Sequence, residues 1–541
     1  MVAPQRSSTG HALLANDPHL YPRIPAAWYV LHLNGDGFDV AGASLPGVPG
    51  VIIGHNAHLA WGITAGMADS EDLVLEQPDP RTPGSFRFGE ASESPTIFHE
   101  VIEVRGRREP VEEDVVVTRH GPILNGTLDL PIDGAPLALR SALHDWPNPV
   151  QALLRLNQAT DWPDFRSALE DWTFPCLNFV YADVGGTIAY KFAGRVPIRA
   201  KGDGYAPVPG WTSEYEWTGY VPFDDMPEAV NPDDGYFATA NTRPAAPSAH
   251  FLARDWIDDS RWRRIVELLR SRERHGLDDF QAMQADVVSL PARAVAASLD
   301  SQGFDDPRVR KAAAYLKAWN GVLSAESVAA SLYEAFRIEL VRALNPDLDA
   351  RHLDWVLGRG IDPLLAPVSA FWFRGSSELI GRLEHADPAL VRGAFTAAVD
   401  RLRRELGEDI NSWQWGRLHR ITFPHPIGVG VPALDRAFHL SRGPLPLGGD
   451  ADTIAQAGVD PWHPFAANSF MVSYRQLFDL GDWDSARFIL PTGQSGHPGS
   501  PHYDDMLEAW RKVEYRPLPF SRRAVEAAVE ETIALVPDSR D

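Results

Sequence analysis

Hydrophobic and polar positions alternate along the first part of the chain, recur at helical spacing in the middle, and alternate again toward the end. Residues 101–105 and 111–117 (VIEVR, VEEDVVV) predict a hairpin around Gly106, and Leu177 to Ile188 predicts a second, turning at Asp183-Val184-Gly185-Gly186. Residues 149–171 predict a helical pair broken at Asp161-Trp162-Pro163. The clearest helix starts at Asp387 as N-cap with Pro388 in its first position, and Gly407 stops it. Its apolar face is Val391, Phe395, Ala398, Leu402 and Leu406. A last helix is predicted near 522–535. Strands flanking a helical block imply one interwoven α+β unit over residues 1–541. It is strand-rich over 1–250, mostly helical over 251–410, and strand-rich again over 411–541 before the C-terminal helix.

Composition narrows the function classes. The chain has 541 residues, 44% of them hydrophobic and 23% charged, which is ordinary for a globular protein with an ample core. A net charge of -23 argues against nucleic acid or anionic membranes as partners. The single cysteine, Cys176, excludes an internal disulfide and a cysteine metal cluster. No apolar run is long enough to span a membrane, and the N-terminus has no signal-peptide pattern.

The chemistry concentrates between Thr9 and Asp72. Ala15-Asn16-Asp17-Pro18-His19-Leu20 is followed by the glycine-rich stretch 42–50, by Gly54-His55-Asn56 and Ala60-Trp61-Gly62, and by Thr64-Ala65-Gly66 leading into Asp69-Ser70-Glu71-Asp72. This block resembles the start of the catalytic β chain of the penicillin acylase (penicillin amidase) family of N-terminal-nucleophile hydrolases. The resemblance runs on to about Tyr503. It implies two antiparallel sheets between helical layers and hydrolysis of a linear amide. The bond would lie in an N-acyl substrate such as a β-lactam antibiotic side chain or an acyl-homoserine lactone. The alternative is a non-catalytic remnant or binding protein that retains the fold.

In such an enzyme a serine hydroxyl attacks the amide carbonyl while the α-amino group of the same residue serves as base. An α-amine has an ordinary pKa of roughly 7.7–8, suited to that task. Family members begin the chain with Ser-Asn-x-Trp-Val-Val, and aligning Asn16-Asp17-Pro18 places Met1 on the first of those valines. The nucleophile is therefore expected ahead of Met1, and the chain as written is expected to be inert. With only five lysines and abundant Arg, Ala, Gly and Pro, the composition suggests GC-rich coding, in which a GTG valine codon can be read as a start. Ser7 and Ser8 sit too far along the motif to replace the missing serine.

The resemblance also assigns roles residue by residue. Ala65 (through its backbone N–H) and Asn241 (through its side-chain amide) stabilise the oxyanion. His19 lies beside the nucleophile's amine, and Arg261 braces the site. Asp69 and Asp72, with the main-chain carbonyls of Glu71 and Pro209, match oxygen ligands of a structural Ca²⁺, a hard cation that takes oxygen donors. Two departures stand against calcium. Ala-Ala-Pro-Ser-Ala-His replaces a further Asp expected between Pro244 and Phe251, and a Glu from the family's separate α chain lies outside this sequence. That α chain is the expected partner, and the family suggests a periplasmic or secreted location. No organic cofactor is expected.

Other motifs carry less. His55 and His58 lack the Glu of a zinc-binding helix, Gly493-Gln494-Ser495-Gly496 lacks the last glycine of a nucleophile elbow, and Asp450-Ala451-Asp452 lacks the rest of an EF-hand loop. A glycoside hydrolase would need two carboxylates across one cleft, which the sequence does not place.

Overall fold

The structure is a computed structural model that describes residues 1–125, 134–145, 149–254, 256–299, 303–347, 379–460 and 463–536. Seven antiparallel strands make the larger sheet, in the spatial order Glu228–Val230, Ile188–Ala193, Leu177–Asp183, Leu59–Ala65, Ile53–Asn56, Phe38–Ser44 and Tyr29–Gly35. A four-stranded antiparallel sheet pairs Leu13–Asn16 with Arg475–Asp479, then Arg487–Ile489 and Arg516–Pro517.

Two side-chain amides tie the sheets together. Asn16 donates to the Ile63 carbonyl at 2.9 Å and accepts from the Ile63 N–H at 3.1 Å, copying a peptide pairing between sheets. Gln476 Nε2 reaches the Trp61 carbonyl at 3.0 Å. Strand alternation sorts the remaining contacts. Leu14 joins the main core, while Leu13 faces the other way onto Leu269, Phe280 and Leu477. The helices Ser260–Arg270 and Leu277–Gln284 thereby cover the smaller sheet. The helices Val150–Gln158 and Trp162–Leu169 cover the larger one, with Phe165 against Trp61, Phe179 and Tyr181. Two sheets between helical layers is the architecture the resemblance implied.

The helices Leu290–Ser298, Pro307–Lys317, Val328–Leu344 and Pro388–Leu406 build a second core, where Phe336 meets Phe395 edge-on at 5.3 Å. Asp387 caps the last of these helices through the Ala389 N–H, and Gly407 ends it with φ +94°, a left-handed value that glycine adopts without strain. This core reaches the site through Asp452. Its carboxylate accepts from Arg337 Nη1 at 3.0 Å and from Ser260 Oγ at 3.3 Å, at the start of the helix that carries Arg261.

Three details differ from expectation. The hairpin strand expected at 101–105 runs from Thr96 to Ile102 and pairs with Val111–Thr118, leaving a wider turn that contains Gly106. The return over 411–541 also holds short helices at Pro426–Gly430 and Pro432–Phe438, each opened by a proline. The C-terminal helix stops at Ala528. Beyond it Ile533, Leu535 and Val536 stand exposed, so nothing packs an apolar face there, and short helices in water are marginal without packing.

Candidate active site

Met1–Ala3 lies between the strand Leu13–Asn16 and the strip Gly235–Phe237. Val2 exchanges backbone hydrogen bonds with Leu13, its N–H donating at 2.9 Å and its carbonyl accepting at 3.1 Å. On the other side Ala3 N–H donates to Gly235 at 2.9 Å, Phe237 N–H donates to Met1 at 3.2 Å, and the Met1 amine donates to the Phe237 carbonyl at 3.0 Å. The pairing is antiparallel, with Val2 opposite Tyr236. Burial, which strips hydration from its charge, lowers the Met1 amine to about 5.

Four residues further along that strip is Asn241, held at φ +64° in the left-handed region that Asn tolerates better than most residues. Its Nδ2 donates to the Ala65 carbonyl at 3.1 Å. Its Oδ1 accepts from Arg261 Nη2 at 2.8 Å, and the same guanidinium nitrogen donates to the Ala240 carbonyl at 3.2 Å. Arg261 Nη1 meets His19 Nδ1 at 3.5 Å, and His19 Nε2 meets Asp17 Oδ2 at 3.5 Å, both at the outer limit of hydrogen bonding. Burial lowers the Arg261 guanidinium from its ordinary value, opposed by the carboxylates of Asp452, Asp17 and Asp258. The four residues carried over for catalysis, His19, Ala65, Asn241 and Arg261, thus form one bonded chain.

Two further members came from a hairpin that the sequence reading treated only as a fold element. Asn178 lies opposite Thr64 in the larger sheet; its Nδ2 donates to the Ala65 carbonyl at 3.2 Å and to Thr64 Oγ1 at 3.1 Å. Buried Tyr190 donates its hydroxyl to Asn178 Oδ1 at 2.6 Å. The Ala65 carbonyl therefore accepts two amides, which fixes the peptide that follows it. Gly66 closes the corner: its N–H donates to Cys176 at 2.9 Å, and a Cβ there would lie 2.7 Å from the Phe192 ring.

The side chains carried over for calcium hold other partners. Both Asp72 oxygens accept from Arg199, the Asp69 carboxylate accepts from the Arg254 N–H at 3.0 Å, and Glu71 pairs with Ser141 in a strand ladder. Pro209 lies in a two-residue strand beside Leu75. Among the described residues no three acidic, His or Cys side chains gather as a metal site. The two Asp72 oxygens are thus engaged by a guanidinium.

The motifs set aside have structural surroundings. His55 is buried, stacks on Trp483 at 4.4 Å, and is lowered to about 4 by burial. Gln494 brackets the Val30 peptide, with Oε1 accepting at 2.6 Å and Nε2 donating at 3.2 Å. Ser7 is buried and its Oγ lies 3.0 Å from Thr9 Oγ1.

Two sheets face each other with helices outside, and two side-chain amides meet on the Ala65 carbonyl near a buried strand end. The penicillin amidase family model matches residues 1–527, and the chain belongs to that family. It is 33% identical over 543 residues to penicillin acylase 2 proenzyme of Pseudomonas sp. (strain SE83), covering 99% of this chain and 68% of the relative. It is 31% identical to the acyl-homoserine lactone acylase QuiP of Pseudomonas aeruginosa, covering 96% of this chain and 66% of the relative. The thermostable penicillin G acylase of Alcaligenes faecalis superposes with a TM-score of 0.74 at 23% identity, covering 100% of this chain and 99% of the other. The chain thus spans about two thirds of the length of these curated relatives. Among the described residues no helix is long and apolar enough to cross a membrane.

Proposed function

We propose that this chain forms the oxyanion side of an amidohydrolase site that cleaves the linear amide of an N-acyl small molecule, and that the nucleophile is a serine joined ahead of Met1. The register at Met1 carries this reading. Val2 opposes Tyr236 and the Met1 amine bonds Phe237, so positions advance in opposite directions along the two strands. Continued in that register, the fourth residue ahead of Met1 falls opposite Asn241. That position is where the family pattern puts its serine.

The chemistry follows from the groups already in place. The serine Oγ bonds to the acyl carbon and passes its proton to its own α-amine. The carbonyl oxygen becomes an oxyanion that accepts from the Ala65 N–H and from Asn241 Nδ2, whose second N–H is not used by the Ala65 carbonyl. Each such donor is worth about 2.7–4 kcal/mol in the transition state. The C–N bond then breaks, the leaving amine takes the proton, and water hydrolyses the acyl-serine by the reverse route. Arg261 holds the Asn241 oxygen so that the amide nitrogen faces the reacting centre, and His19 stands by the amine. A separate α chain would complete the acyl pocket. His19 favours glutaryl-cephalosporin or long acyl-homoserine lactone substrates over phenylacetyl ones.

The test is a chain in which Ser-Asn-Asn-Trp-Val replaces Met1, co-expressed with the region of the relatives that this chain does not span. Hydrolysis of phenylacetyl, glutaryl and long-chain acyl amides is then compared. Turnover that is lost when the serine amine is blocked supports the reading. No turnover with any of the three, from a folded two-chain protein, overturns it.

A further inference from the structure

In the turn Asp69–Asp72, Asp72 is paired with a buried arginine. Arg199 Nε donates to the two Asp72 oxygens at 3.1 and 2.9 Å, and its Nη2 donates to Oδ1 at 2.9 Å and to the Asp69 carbonyl at 2.9 Å. Trp217 Nε1 adds a bond to Asp72 Oδ2 at 2.6 Å. The side chains of Arg199 and Asp72 are only 4% and 6% exposed, so this pair is shut away from water. Gly204 packs directly on it: a Cβ there would lie 2.5 Å from Asp72 Oδ1 and 2.9 Å from Arg199 Nη2.

A second layer continues the pattern. Arg140 lies 4.7 Å from the Trp217 ring centre and bonds Glu216 at 3.0 Å. His120 bridges Glu216 and Glu76 at 2.8 Å each. Three carboxylates (Asp72, Glu76, Glu216) therefore face three basic groups (Arg199, Arg140, His120).

We propose that Arg199 is the resident cation of this turn, standing in the place where the family resemblance implies calcium, so that the folded chain neither binds nor needs that ion. Calcium takes six to eight oxygens at about 2.3–2.6 Å. Asp72 cannot give its oxygens to such an ion while both hold a guanidinium, and expelling Arg199 would leave a buried charge unpaired. The guanidinium fork also does what a metal does at a turn: it ties a side chain (Asp72) and a main-chain carbonyl (Asp69) to one positive centre.

The chain, co-expressed with the region that its relatives carry in addition, is incubated with excess CaCl₂, dialysed, and assayed for bound calcium, and its Tm is measured with added CaCl₂ or EGTA. Substoichiometric calcium and an unchanged Tm are expected. Near one calcium per chain, with a Tm that falls in EGTA, would overturn the proposal. Arg199→Met and Asp72→Asn should each lower Tm, and the double variant should fall no further than the worse single one, since the two act as a pair. Additive losses would contradict the pairing. If Arg199→Met does not fold, the calcium measurement on the unaltered chain decides alone.

Discussion

Arg261 and Asn241 are joined at 2.8 Å, guanidinium Nη2 to amide oxygen, so that the only acceptor on the Asn241 side chain is taken and its nitrogen points the other way, onto the Ala65 carbonyl. The amide proposed to donate to the developing charge is thereby held in one of its two orientations. Arg261 is 4% exposed, which makes that bond strong and its loss costly.

Arg261→Met in the serine-extended enzyme should lower kcat by ~10–100-fold with KM little changed, because a hydrogen bond to a charged group is worth about 1.5–3 kcal/mol. Steady-state kinetics on one substrate checks this. An unchanged kcat would show that Asn241 is oriented without help.

Tyr190→Phe removes one hydroxyl and keeps the ring packed in the core. Asn178 loses its 2.6 Å partner and holds the Ala65 carbonyl less firmly. A several-fold fall in kcat is expected, in line with about 1 kcal/mol for one neutral hydrogen bond. A change confined to Tm would make Tyr190 purely structural.

Stability should depend on pH through His120. Burial opposes its charge, but the bonds to Glu216 and Glu76 outweigh that, and its pKa is raised above 6.5. Its contribution is therefore fully present below pH 6.5 and is lost as pH rises through the higher folded value. Glu216, held by His120 against its own desolvation, drops to about 2, so its contribution is present above 4.5 and lost as pH falls toward 2. Thermal unfolding of His120→Gln and of the unaltered chain should differ most between pH 4.5 and 6.5 and converge at alkaline pH. An equal difference at all pH values would contradict the charged bridge.

Apolar side chains are exposed at Ile427, Val429, Val431, Leu434 and Phe438, and on the two faces of the hairpin strand at Ile97 and Val101 and at Phe98 and Ile102. Exposed apolar side chains in such numbers point to interaction surfaces. The 541-residue chain expressed alone should bind the dye ANS and aggregate, and co-expression with the region its relatives carry in addition should suppress both. A monodisperse monomer with no dye binding would count against the two-chain reading.

The sequence showed more of the site than of its supports. His19, Ala65, Asn241 and Arg261, which the structure joins in one bonded chain, were singled out only by the family resemblance, and no periodicity marks Asn241 as more than a turn residue. Asn178 and Tyr190 escaped because every position of the strands Leu177–Asp183 and Ile188–Ala193 is buried. Nothing in such a run distinguishes a polar group bonded across the sheet from its neighbours. Arg199 escaped for a different reason: its partner Asp72 is 127 residues away, and local pattern is silent on pairings at that range. The helix Pro388–Leu406 was legible to its caps, since Asp387, Pro388 and Gly407 act locally.

The most direct test compares three proteins in one amide-hydrolysis assay, each co-expressed with the region that the relatives carry in addition. They are the chain beginning at Met1, the same chain with Ser-Asn-Asn-Trp-Val in place of Met1, and the extended chain carrying Asn241→Ala. The expected result is no turnover above background for the first, enzymatic turnover for the second, and a kcat lowered by ~10²–10³ with substrate binding largely kept for the third. Enzymatic turnover by the chain from Met1 would contradict the account, because a residue such as Ser7 would then be the nucleophile and the register between Met1 and Phe237 would not lead to the reacting group.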